Sequence, residues 1–131
     1  MAITLASAAR TAMLTAVGTG LTSGKLGIYL ANGTTQVATL SLNTGGGNAL
    51  DTETSPGVRP FKAITADSNA TGNTGSDVAI FIFFASNGTT EWDRGSITVT
   101  GNGGDITIAS LRISPGAVVS AGTITVTVPA S

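Results

Sequence analysis

Apolar and polar residues alternate with a period of two along most of the chain, and one stretch near its start follows a helical period instead. Over residues 4–17, Leu5, Ala9, Ala12, Met13 and Ala16 recur at the spacing of a single helical face. Thr4 stands where an N-cap would, and Gly18 and Gly20 close the pattern. That face is mostly alanine, so the helix is marginal alone and needs a partner surface, its own sheet or another subunit.

Residues 25–42 read as a β-hairpin, with Leu26, Ile28 and Leu30 on one face and residues 37–42 returning. Its turn, Asn32-Gly33-Thr34-Thr35, predicts the type I′ geometry in which both central residues take positive φ. Strand periodicity lapses over 43–60, where Gly45, Gly46, Gly47, Pro56, Gly57 and Pro60 mark a long loop. A short strand is predicted at 61–66 and a second polar loop at 67–76. The strongest strand signal is 78–85. There Val78, Ile80, Ile82 and Phe84 face one way and Ala79, Phe81 and Phe83 the other, so both faces are expected to be covered.

A second Asn-Gly-Thr-Thr turn, at 87–90, leads into a strand over 92–100. Alternation resumes over 105–113 with a one-residue slip before Leu111, the mark of a bulge. The last strand, 123–128, sets Ile124, Val126 and Val128 against three threonines. The repeated turn is not read as a duplication, because the flanking strands do not otherwise match. The pattern predicts an all-β fold, an antiparallel β-sandwich or barrel-like domain of about seven or eight short strands with one N-terminal helix. It forms a single domain over 1–131, with a helical segment at 1–20 and a β-domain at 25–129.

Composition changes the picture mainly by exclusion. The chain has neither Cys nor His, which removes disulfide scaffolds, zinc sites of ordinary type, thiol catalysis and His-based triads. Six Lys and Arg against seven Asp and Glu leave no basic stripe for phosphate, so nucleic acid is not an expected partner. No stretch approaches the roughly 20 apolar residues of a membrane span, and no secretory signal is legible, so synthesis in a cytoplasm is expected. With 18 glycines, 22 threonines and 10% charged residues, the surface has little electrostatic protection against association. Assembly with other subunits is the expected consequence.

Candidate chemistry is sparse. Asp67, Ser68, Asn69 and Gly72 superficially resemble a calcium loop, but the twelfth position is Val78, so a loop held by Asx side chains is favoured. A looser calcium site from Asp51, Glu53, Asp67 or Asp77 has no support in spacing. The single Gly101-Asn102-Gly103-Gly104-Asp105 run lacks the stacked copies that such calcium repeats need, and the 45–47 glycines lack a phosphate-loop ending. Three sequons, at Asn32, Asn69 and Asn87, are read as turn chemistry. Glu91 and Asp93, on one face of an extended strand, would sit about 7 Å apart. They are read as an exposed charged strand neutralised by Arg94, not as a hydrolytic pair. Trp92, the sole Trp, anchors either the core or an interface. No catalytic residue, metal or cofactor is expected. Candidate interface residues are Arg10, Met13, Tyr29, Phe81, Phe83 and Trp92.

The order of features carries a resemblance. The helix precedes Gly24-Lys25-Leu26-Gly27-Ile28-Tyr29-Leu30, and Ile64-Thr65-Ala66-Asp67-Ser68 precedes the apolar strand. Asn87-Gly88-Thr89, Gly95-Ser96-Ile97, Asp105-Ile106-Thr107-Ile108, Ile113-Ser114-Pro115-Gly116 and Thr123-Ile124-Thr125-Val126-Thr127-Val128-Pro129 follow. Nearly the whole chain resembles a family of small tailed-bacteriophage virion proteins, similar to capsid decoration (cement) proteins. It departs at Phe83-Phe84-Ala85, where an aromatic-Arg pair would stand. The resemblance implies a non-enzymatic structural protein on the capsid surface of a virion, made in the host cytoplasm. It would bridge subunits of the major capsid protein as a homo-oligomer, a trimer being one arrangement. A tail, baseplate or fibre subunit is the alternative, and a carbohydrate- or cell-surface-binding β-sandwich the third reading.

Overall fold

A computed structural model describes residues 3–73 and 75–130, so Met1, Ala2, Thr74 in the second polar loop and Ser131 lie outside the account. The fold is mostly β with one helix. In chain order it runs α1 (Ser7–Gly20), β1 (Lys25–Leu30), β2 (Gln36–Leu42), β3 (Val58–Pro60), β4 (Ile64–Thr65), β5 (Val78–Phe84), β6 (Glu91–Val99), β7 (Ile106–Ile108) and β8 (Thr125–Thr127). Six strands form a curled sheet in the order β4-β2-β1-β5-β6-β7, a half-barrel, and β3 with β8 forms a separate two-stranded ribbon. All pairs are antiparallel except β6 with β7, which is parallel and departs from the antiparallel expectation. Among the described residues, no helix is long and apolar enough to cross a membrane.

The two Asn-Gly-Thr-Thr turns are built alike, and so are the hairpins that carry them. In the first, Leu30 N donates to Thr35 O and Gly33 N to Leu30 O; in the second, Ala85 N donates to Thr90 O and Gly88 N to Ala85 O. Asn32 Oδ1 accepts from the Thr34 and Thr35 amides, as Asn87 Oδ1 does from Thr89 and Thr90. Only the glycines take positive φ, +70° at Gly33 and +71° at Gly88, which corrects the type I′ expectation. The Asn side chain holds the turn from negative φ and leaves the left-handed position to Gly. Register repeats as well. Lys25↔Ser41 and Tyr29↔Gln36 with a slip before Tyr29 correspond to Ile80↔Ser96 and Phe84↔Glu91 with a slip before Phe84. The repeat dismissed from sequence identity is therefore present as hairpin geometry. Asn87→Ala removes two acceptor contacts and one donor contact, and is expected to cost about 1–2 kcal/mol in denaturant unfolding.

The helix corrects the sequence reading more sharply. It starts at Ser7 with Ala6 as its uncapped N-cap, not at Thr4, and it runs through Gly18 to Gly20. Leu14 and Gly18 are its buried residues, with Leu21 just beyond. Ala9, Ala12, Met13 and Ala16, the face expected to pack, point to solvent. One large Leu, flanked by Val17 and Leu21, offers more apolar area than the alanine stripe, so it fixes the rotation. Gly18 lets the loop after β2 close in. A Cβ there would stand 1.8 Å from Asn48 Oδ1, and Ala49 N donates to Gly18 O.

Other boundaries shift for local reasons. The loop at 43–60 ends in the strand Val58–Pro60, because its backbone has β8 to pair with. The predicted strand 61–66 shrinks to Ile64–Thr65, which meets only the last two residues of β2, and 105–113 to Ile106–Ile108, which meets only Ile97–Val99 at the end of β6. Likewise 123–128 forms a strand only at Thr125–Thr127. A single cluster centred on Leu26, Ile28, Leu40, Leu42, Phe81 and Phe83 fills the concave side of the half-barrel.

Candidate functional site

The half-barrel does not close, and its mouth forms a groove. On one side runs β8, through Thr125, Val126 and Thr127; on the other stand Asp93 and Arg94 of β6 with Asp105 and Ile106 at the start of β7. Phe61, Phe81 and Phe83 form the floor, and this part of the groove holds about 260 Å³. It continues through Phe61, Phe83, Asp93 and Val126 into a smaller hollow of about 100 Å³ that ends at Val17, Leu21 and Trp92.

Local structure explains each wall. Phe81 and Phe83 project to the concave side from β5; Phe83 stacks on Phe61 at 4.8 Å and meets Phe81 edge-on at 5.3 Å. Phe83 pairs with Asp93 and Phe84 with Glu91, so Trp92 is the bulged residue between them. The bulge overturns the expectation that Glu91 and Asp93 share a face: Asp93 lines the groove beside Phe83, whereas Glu91 lies opposite Phe84 on the convex side. Glu91 is there held by a bidentate ion pair with Arg94, which keeps its carboxyl below the usual range. Trp92 packs against Gly20, where a Cβ would fall 2.0 Å from the indole, yet it stays 44% exposed.

The two walls differ in their main-chain groups. Phe61 N donates to Ile124 O and Val128 N to Gly57 O. By antiparallel alternation, the amides and carbonyls of Thr125 and Thr127 therefore point away from β3 toward the groove side, and no strand pairs with them among the described residues. Across the groove, β7 covers only Ile97–Val99 of β6. The remaining edge is capped by carboxylates: Asp93 Oδ1 accepts from Arg94 N, and Asp105 Oδ2 accepts from both N and Oγ of Ser96. These hydrogen bonds lower the Asp105 pKa from its ordinary 3.8. A depressed carboxylate stabilises the fold above its unfolded pKa, and the contribution disappears as pH falls through the lower folded value. Asp105→Asn should accordingly lower the melting temperature in the neutral region, where the contribution is fully present, and converge on the parent protein as pH falls below about 4, so that the acid limb of the profile flattens.

The six candidate interface residues thus separate. Phe81, Phe83 and Trp92 come together in the groove. Tyr29 lies on the convex face, its ring 6.3 Å from Phe84, and its hydroxyl pKa is raised by burial and then by the charge of Glu91. Met13 projects from the outer side of α1, and Arg10 lies against the 56–57 turn, where its Nη1 donates to Pro56 O while its buried Nε has no hydrogen-bond partner among the described residues. Sequence reasoning missed Phe61, Asp105 and the Thr125–Thr127 edge. The alternation of threonine with Ile124 and Val126 was the available signal for the last.

The acidic residues considered for calcium are spent on local structure. Asp67 accepts from the amides of Thr39 and Asn69, Glu53 from Thr11 Oγ1 and Gly57 N, and Asp77 pairs with Arg112. Among the described residues no three acidic side chains gather as a metal site. No family model, curated protein or solved structure matches the chain.

Proposed function

We propose that this protein is a non-enzymatic structural subunit of a tailed-bacteriophage virion, and that it works as a capsid decoration protein bridging capsid subunits. The groove carries the reading. Its aromatic floor, its half-exposed Trp92 and its unpaired strand edge are features of a surface made to receive protein. The rest of the surface agrees: Ile3, Met13 and Val118 are exposed, α1 turns its alanine stripe outward, and the net charge is −1. A patch of this kind becomes stable when several copies engage neighbouring seams at once, which favours a homo-oligomer. In architecture we read the curled sheet and the β3–β8 ribbon as a barrel-like domain left open along one seam.

The test is a comparison of virions with and without the protein. Particles lacking it should lose their heads at a lower temperature, and added protein should restore the difference and decorate heads in electron micrographs. Unchanged head stability, or label found on tails alone, would overturn the decoration role; the second result favours a tail, baseplate or fibre subunit.

A further inference from the structure

We infer that the groove is a strand slot: an extended segment of a partner protein adds to the free edge of β8, with apolar side chains on the Phe61–Phe81–Phe83 floor and a lysine or arginine beside Asp93 and Asp105. This rests on the structural role proposed above and names what its groove holds.

The occupant follows from the chemistry of the two walls. Among the described residues, Thr125 and Thr127 offer unpaired amides and carbonyls along the outer edge of β8, and only another main chain satisfies donors and acceptors in that alternation. On the opposite wall the edge amides of Arg94 and Ser96 are already taken by aspartates, so strand addition is directed to β8. One oxygen of each carboxylate, Asp93 Oδ2 and Asp105 Oδ1, remains without a protein donor among the described residues. Arg94 does not neutralise them, since its guanidinium is tied to Glu91 on the other face. The wall facing β8 is therefore acidic, and complementarity selects a cationic side chain at the strand's outer positions. Alternate residues of the same strand point inward, where three phenylalanines and Val126 accept branched apolar side chains. The half-exposed Trp92 closes one end of the slot.

The experiment titrates the full chain with a synthetic peptide, acetyl-Lys-Val-Thr-Val-Lys-amide, while amide resonances and hydrogen exchange are followed. Thr125 and Thr127 should shift and become protected from exchange. Replacing both peptide lysines by glutamate, or changing Asp93→Asn together with Asp105→Asn in the protein, should weaken binding by about tenfold or more. A proline in place of the central threonine should abolish it. Equal binding of the glutamate or proline peptide would overturn the inference, as would no binding at about 1 mM peptide or shifts confined to the Tyr29 face. Protection of Thr125 and Thr127 that rises with protein concentration alone would also overturn it, by placing a second copy in the slot. Head stability distinguishes the two levels: particles weakened by loss of the protein, with no peptide in the groove, would keep the structural role and discard the slot.

Discussion

Phe83→Ala is expected to destabilise the fold by about 3–5 kcal/mol, among the largest single losses available to this chain. Phe83 is 4% exposed and lies between two other rings, stacked on Phe61 from the segment after β3 and edge-on to Phe81 of its own strand. Truncation removes its transfer free energy and both aromatic contacts. It also leaves a cavity that the flanking strand cannot fill, because β5 is held on one side by β1 and on the other by β6. The check is denaturant unfolding: the midpoint should fall with little change in slope. Phe83→Leu, which keeps most of the volume, should lose a smaller part. A loss below about 1 kcal/mol for the alanine variant would mean that the groove floor is not part of the core. The same side chain serves core and groove, so a segment bound on that floor should raise the stability of the whole domain by mass action.

The sheet was legible in the sequence where a strand's neighbours are close in the chain. Period-two alternation and the Asn-Gly turns located β1, β2, β5 and β6, and the doubly apolar run at 78–85 is the sheet's centre. Short strands defined by distant partners were less legible. Val58–Pro60 ends in Pro60, a residue of poor strand propensity, and is a strand only because Thr125–Thr127 lies beside it. The orientation of α1 was misread because counting apolar positions gives alanine the weight of leucine, whereas burial scales with area. Of the groove, the sequence exposed its aromatic residues but not their meeting with β8, which depends on how far the sheet curls. The bulge at Trp92 was equally hidden. One inserted residue sends Glu91 and Asp93 to opposite faces, and nothing in the local sequence marks it.

Gly72→Ala and Gly88→Ala should separate two costs of replacing a glycine. The positions share a backbone conformation, φ +74° at Gly72 and +71° at Gly88, so an L side chain carries the same left-handed penalty of about 1 kcal/mol at each. Their surroundings differ. At Gly88, in the exposed hairpin turn, a Cβ meets nothing within 4 Å. At Gly72 it would stand 2.3 Å from Pro115 N and 2.5 Å from the Ser114 carbonyl carbon, main-chain atoms with no rotamer to change. The approach is fixed from both sides, because Gly72 N donates to Val37 O while Ala70 exchanges hydrogen bonds with Gly116 and Ala117. Relieving the overlap means parting the 67–73 loop from the 113–117 turn and breaking the hydrogen bonds that join them. We expect Gly88→Ala to lose about 1 kcal/mol and Gly72→Ala on the order of 3–4 kcal/mol, measured side by side in denaturant. Equal losses would show that the 113–117 turn yields freely, and would leave positive φ as the whole reason for glycine at both sites.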